Sequence, residues 1–384
     1  NFNVQEGCTT VTVTVNRIGD TSGPAAVDYA TSNVLATDRG DYITSLGTLR
    51  FAAGETSKNF VVLINADSYI ESNETFTVSL SNPSGVSLGG PMIASVTIID
   101  SPPVNVGSNV IDDARNYVCQ NYHDFLNRQP DASGWDFWTN EITSCGTNQQ
   151  CIETKRINVS AAFFLSIEFQ NTGYLVERFY KTAYGQATGT STFPNTHQFP
   201  VPVIRFIEFL TDTQRIGADV IVGQSGWQQQ LENNKQLFAL EFVQRSRFVT
   251  AFPTMMTPQQ FVDALNTNSE NALSANERTT LINLFGGNGN TTNLMARAQA
   301  LRAIADDQDL EQTEFNRAFV LMQYYGYMRR NPNDPQDTDY TGFDFWLTKL
   351  NQFNGNFVNA EMVKAFLESS EYRSRFGGAP GGNQ

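Results

Sequence analysis

Histidine is almost absent from this 384-residue chain, which has only His123 and His197. So little imidazole excludes most histidine-based metalloenzyme sites and leaves few general bases. There is no His-Glu-x-x-His pair and no phosphate-cradling glycine loop. Positive charge is also short, with 25 Lys and Arg against 39 Asp and Glu, a net charge of −14. A surface this acidic repels phosphate backbones and anionic lipid, so neither nucleic acid nor a membrane surface is an expected partner. No apolar run reaches the roughly 18 residues of a bilayer-spanning helix, so no membrane insertion is expected. Tryptophan is scarce, at 4 residues beside 28 Phe and 13 Tyr, so phenyl and phenol rings must dominate the cores.

What is present changes character once along the chain. Residues 1–100 alternate with period two: Val11, Val13 and Val15 against Thr10, Thr12 and Thr14, then Phe76, Val78 and Leu80 against Thr75, Thr77 and Ser79. Such alternation buries one face of a sheet, and the Gly and Pro punctuation has the spacing of a sandwich. Val11, Val13, Val15, Phe51, Phe76, Val78, Val96 and Ile98 are expected to face inward. Residues 101–112, with Pro102 and Pro103, read as a linker. From 113 to 376 the period is helical, and Thr257 followed by Pro258 is a helix-start signal. This helical part repeats itself. Tyr122-x-x-Phe125-Leu126-x-Arg128-x-Pro130 corresponds to Tyr324-x-x-Tyr327-Met328-x-Arg330-x-Pro332, and "GWDFW" (134–138) to "GFDFW" (342–346). "FFLSIEF" (163–169) corresponds to "FLESSEY" (366–372) and more loosely to "FVQRSRF" (242–248). Copies at about 113–173, 174–250 and 251–376, then a Gly-rich tail at 377–384, complete the division.

The first hundred residues resemble a Calx-beta domain, on "VQEG" (4–7), "VTVTVNRIGDTSG" (11–23), "GDY" (40–42), "GTLRFAAGETSK" (47–58), "DSYIESNETF" (67–76) and "VTIID" (96–100). The resemblance implies a seven-stranded immunoglobulin-like β-sandwich, followed here by an all-α helical repeat region. It also implies a carboxylate cluster at one end of the sandwich, and the matching positions are Glu6, Asp41, Asp67, Glu71 and Asp100. Ca²⁺ takes roughly six to eight oxygens, which clustered carboxylates supply. Ala66 and Ser101-Pro102 stand where the family commonly has further aspartates, which reduces the implied set to one Ca²⁺ site. The helical part resembles the bacterial domain of unknown function 4214, on "YHDFLNRQPDASGWDFW" (122–138) and "SIEF" (166–169). That resemblance implies secretion and a surface location but no chemistry.

Cys145 and Cys151 enclose turn-forming residues and are expected to form a local disulfide. Cys8 and Cys119 are each alone in their domain. They could bridge the domains, bridge two molecules, or stay as small buried hydrophobes. Cys119 and His123 lie one helical turn apart, yet His123 falls on an aromatic repeat face, where packing is the expected role. No catalytic residue is assigned. The chain begins directly in strand-like sequence without a signal peptide, as a processed extracellular protein would. The expected function is that of a secreted bacterial structural or adhesive protein of the cell surface or matrix. Copies of itself are the expected partner, in filaments if the contact runs head to tail. The alternatives are a calcium-dependent module that recognises a surface polysaccharide or protein, and an unrecognised hydrolase.

Overall fold

The computed structural model describes residues 1–101 and 109–377, so most of the expected linker and the tail from residue 378 lie outside the described residues. The chain forms two compact units. One is Asn1–Phe163 together with Val363–Gln384, and the other is Phe164–Met362. The division does not follow the change from strands to helices near residue 101, because the first helices and the last belong with the sandwich.

The sandwich has seven strands: β1 (Phe2–Gln5), β2 (Thr9–Asn16), β3 (Ala25–Asn33), β4 (Leu46–Phe51), β5 (Ser57–Ile64), β6 (Glu74–Ser84) and β7 (Ile93–Ile99). A five-stranded sheet runs β1-β7-β6-β3-β4, and β2 pairs with β5. β1 lies parallel to β7, with Val4 opposite Ile98, while Val13 of β2 lies opposite Phe60. The alternation sets the core. Val11, Val13, Phe51, Phe76, Val78, Val96 and Ile98 are buried, and Val15 packs partly buried against them. Each such side chain contributes roughly 1.5–3 kcal/mol on burial. Tyr42 stacks on Phe76 with ring centroids 4.2 Å apart.

The helical repeat is visible as geometry. In the first unit, Asp113 caps helix Ala114–Asn121 by accepting from Arg115 N and Asn116 N. The helix then loosens into a π turn, Tyr122–Leu126, and stops at Asn127, whose φ is 50°. In the second unit, helix Gln308–Gln323 passes into the matching π turn Tyr324–Met328 and stops at Arg329, φ 53°. Arg128 lies over the Tyr122 ring at 4.9 Å, and Arg330 over the Tyr324 ring at 5.6 Å. Both arginines also reach carboxylates, Arg128 to Asp131 at 3.6 Å and Arg330 to Asp337 at 2.8 Å.

The Ser-x-Glu-aromatic segments are helix starts. Ser166 accepts from Phe169 N, and Ser369 from Tyr372 N. The C-terminal region is mostly helical with one interruption, the hairpin of β8 (Gln186–Ser191) and β9 (His197–Pro202). Gly185, at φ 67°, ends the preceding helix, and Pro200 and Pro202 lack the N–H groups a helix needs. Among the described residues no helix is long and apolar enough to cross a membrane.

Candidate metal centre

The sandwich presents its acidic residues at one end because strand ends and loops deliver them there. Glu6 follows β1, Asp100 follows β7, Glu74 opens β6, Asp41 lies in the loop before β4, and Asp67 and Glu71 lie between β5 and β6. Glu6 holds three pieces of backbone together. Its N–H donates to Ile99 O at 3.0 Å, its Oε1 accepts from Asp67 N at 2.7 Å, and its Oε2 accepts from Ser101 N at 2.8 Å. Asp67 Oδ1 accepts from Tyr69 N at 2.7 Å, and Asp100 Oδ2 from Glu71 N at 3.3 Å. Asp41 Oδ2 accepts from Thr37 N at 2.6 Å.

Asp41, Glu71 and Glu74 converge, with one carboxylate oxygen of each within 4.8 Å of the others. Glu6, Asp67 and Asp100 border this trio, close enough to act on its charge or on one another's. All of the sequence-assigned positions therefore lie at this end. Glu74 was missed. A signal was available, since Glu74 shares the parity of the inward-facing Phe76 and Val78 and sits where that face meets solvent.

The electrostatics are those of crowded acids. Burial first, then neighbouring carboxylates, push the Glu74 and Asp67 carboxyls up to about 8. Burial, with Asp100 beside it, pushes Glu6 up to about 7 against the lowering effect of its two backbone hydrogen bonds. Glu71 is raised by burial, Asp41 and Asp100. Carboxylates held this close repel one another when ionised, and a divalent cation removes that repulsion. The donors are hard oxygens throughout, which suits Ca²⁺. The residues present thus fit the ion that the sandwich implies.

A second convergence of potential ligands, Cys8, Cys119 and His123, is closed to metal. Cys8 and Cys119 are joined in a disulfide, as are Cys145 and Cys151, and no free cysteine remains among the described residues. Of the alternatives open for Cys8 and Cys119, the structure has the bridge from sandwich to first helix. The Cys119/His123 pair consequently has no thiolate nucleophile. His123 is fully buried, with Nδ1 3.1 Å from Asn65 Oδ1, and packs as its repeat position requires. The acidic loop near residue 334 is engaged in structure. Asp334 pairs with Arg205, Asp337 with Arg330, and Asp339 accepts from Thr341 N.

Comparison with known proteins identifies two domains. Residues 1–102 match the Calx-beta domain family, and residues 105–173 match the domain of unknown function DUF4214. The sodium/calcium exchanger Calx of Drosophila melanogaster is 38% identical over 100 residues, 26% of this chain and 10% of the exchanger. The extracellular matrix organizing protein FRAS1 of Mus musculus is 36% identical over 105 residues, 26% of this chain and 3% of that protein. The match thus spans a tenth or less of either relative. A crystal structure of the apo form of the Calx CBD1 domain aligns at 38% identity and a TM-score of 0.26, covering 26% of this chain and 89% of that one. A structure described as calcium binding domain CBD12 of CALX1.1 aligns at 34% identity and a TM-score of 0.26, covering 28% and 46%. The chain carries two known domains in tandem, a Calx-beta domain at residues 1–102 and a DUF4214 domain at residues 105–173.

Proposed function

We propose that the chain is a Ca²⁺-binding structural module of the cell surface or extracellular matrix that associates with copies of itself. The observation that carries the calcium reading is the convergence of Asp41, Glu71 and Glu74, bordered by Glu6, Asp67 and Asp100. Asp41, Glu71 and Glu74 would hold the ion, with Asp67 and Asp100 beside them. Bound Ca²⁺ supplies positive charge that offsets the mutual repulsion of these acids. Glu6, through its contacts to Asp67 N and Ser101 N, keeps the loop and the β7 end in place to receive it. The paired cysteines support an oxidising, extracellular setting. The matrix-organizing name of one relative points the same way. The reading is non-enzymatic.

Thermal unfolding of the intact chain in Ca²⁺, in Mg²⁺ and in chelator tests it. Binding at free Ca²⁺ roughly 100 times Kd adds about 2.7 kcal/mol to the sandwich, so the unfolding midpoint should rise by several degrees in Ca²⁺. Superimposable curves in millimolar Ca²⁺ and chelator would contradict the reading.

A second reading, calcium-dependent recognition of a surface polysaccharide, is favoured by one feature of the second unit. A cavity of about 440 Å³ is lined by Gln308, Gln312, Asn316 and Asn351 beside Phe315, with Glu311 and Arg317 also in its wall, so it offers amides, one aromatic ring and two charged groups. Saturable glycan binding lost in Gln312→Ala and Asn351→Ala would support it; no binding across a glycan array would set it aside.

A further inference from the structure

The two strongest repeat copies do not keep their own ends. Copy one supplies "FFLSIEF", and all of it after Phe163 belongs to the second compact unit. There Phe164 packs on Phe319 and Phe315, with ring centroids 4.5 and 5.5 Å away, on the helix that leads into the second π turn. Copy two supplies "FLESSEY", and the chain from Val363 onward belongs to the first compact unit. Each unit is therefore completed by the Ser-x-Glu-aromatic segment of the other copy.

The segment that completes the first unit is a dense latch. Arg375 pairs with Asp124 of the first π turn at 3.0 Å, and both side chains are almost fully buried. Asn109 Nδ2 donates to Arg373 O at 2.9 Å and Gly377 O at 3.2 Å. Arg373 pairs with Asp112, Glu371 with Arg39, and Lys364 with Glu153. Ser68 N donates to Phe376 O, and Tyr372 and Phe376 are buried. The stretch that leads into this latch is a tight turn between helices Thr341–Gln352 and Met362–Glu368, with Asn354 (φ 52°) and Gly355 (φ 80°) in the left-handed region they readily adopt and Glu361 (φ 54°) strained there. Short strained hinges before a self-contained docking element are where chains exchange that element.

We propose that residues 363–377 are exchanged between copies of this chain, each copy supplying the segment that completes the first unit of the next. The contacts made are those already present within one chain, so exchange costs little enthalpy and releases the hinge. Donor and acceptor surfaces are different, so the contact is head to tail and propagates unless the rotation closes a ring. The inference rests on the self-association reading above and names its route.

The test uses the wild-type chain. Lys364 Nζ lies 2.5 Å from Glu153 Oε1, close enough for a zero-length carbodiimide cross-link. Chains with natural and with heavy nitrogen are unfolded, refolded together at high concentration, cross-linked and digested. Sedimentation velocity is run on the same sample before cross-linking. Exchange predicts species larger than the monomer and Lys364–Glu153 cross-links of mixed isotope, approaching the random-mixing limit. Larger species with only single-isotope cross-links overturn the exchange and leave self-association standing. A monomer at every concentration overturns both. An independent arm mixes Asp124→Arg with Arg375→Asp chains. The account expects mixed oligomers, because Arg375 of one meets Asp124 of the other; no new species on mixing would count against it.

Discussion

Glu74 is the residue on which the proposed metal centre turns. A glutamate at the first position of an inward-facing series would normally be a fault, since its neighbours along that face are the buried Phe76 and Val78. It is tolerated because the face ends there, among Asp41 and Glu71. Glu74→Gln keeps the shape and removes the charge, and should weaken Ca²⁺ binding by at least about 10-fold while leaving the sandwich folded. Titration of the variant by calorimetry checks it. The pH dependence follows from the same crowding. Carboxyls raised in the folded state favour folding while protonated. Their contribution is complete below the ordinary carboxylate range and is lost as pH rises through about 7 for Glu6 and about 8 for Asp67 and Glu74. The metal-free sandwich should lose stability across that window. Ca²⁺ competes with the same protons, so the Ca²⁺-induced rise in unfolding temperature should be larger at about pH 8.5 than at about pH 6. A shift that shrinks as pH rises would contradict this. At this scale the family's motif positions were legible in sequence. Glu74 was overlooked despite its parity with Phe76 and Val78, because a polar residue that opens a strand reads as ordinary.

At the scale of elements, the repeat makes its own prediction. A Cβ on Gly134 would fall 2.2 Å from Tyr122 Oη, and one on Gly342 would fall 2.5 Å from Tyr324 Oη. The glycine of "GWDFW" and "GFDFW" is thus required by the tyrosine that opens each π turn. Gly134→Ala and Gly342→Ala should each cost about 1–3 kcal/mol, whereas Gly289→Ala, with nothing within 4 Å, should be near neutral. Denaturant melts of the three variants decide it. The strands were readable because their alternation and their burial are the same fact: Val11 and Val13 face Val62 and Phe60. The repeat was readable from Tyr122 and Tyr324 with their following arginines. The π turns were not, since one widened turn leaves no period in five residues. The hairpin Gln186–Pro202 was hidden between helices, with Gly and Pro as its only signals. The bridge from Cys8 to Cys119 joins residues 111 apart, and spacing alone left it open.

For the whole molecule, the acidic balance and the metal centre belong together. A net charge of −14 leaves several carboxylates gathered at one end of one domain, where a cation has the most repulsion to relieve. The loop that carries Asp67 and Glu71 also meets the C-terminal segment, through Ser68 N to Phe376 O and Tyr69 Oη to Ser374 O. Filling the proposed centre would therefore stabilise the surface on which that segment rests. The contact between this loop and the C-terminal segment was not legible in sequence, because it depends on residues about 300 positions apart becoming neighbours in one compact unit. The most direct test is calorimetric titration of Ca²⁺ into the chelator-stripped, intact chain at neutral pH. The account predicts saturable binding of at least one Ca²⁺ per chain, with proton release from the raised carboxyls and loss of that heat in Glu74→Gln. A folded chain that gives no saturable heat up to millimolar Ca²⁺ would contradict it.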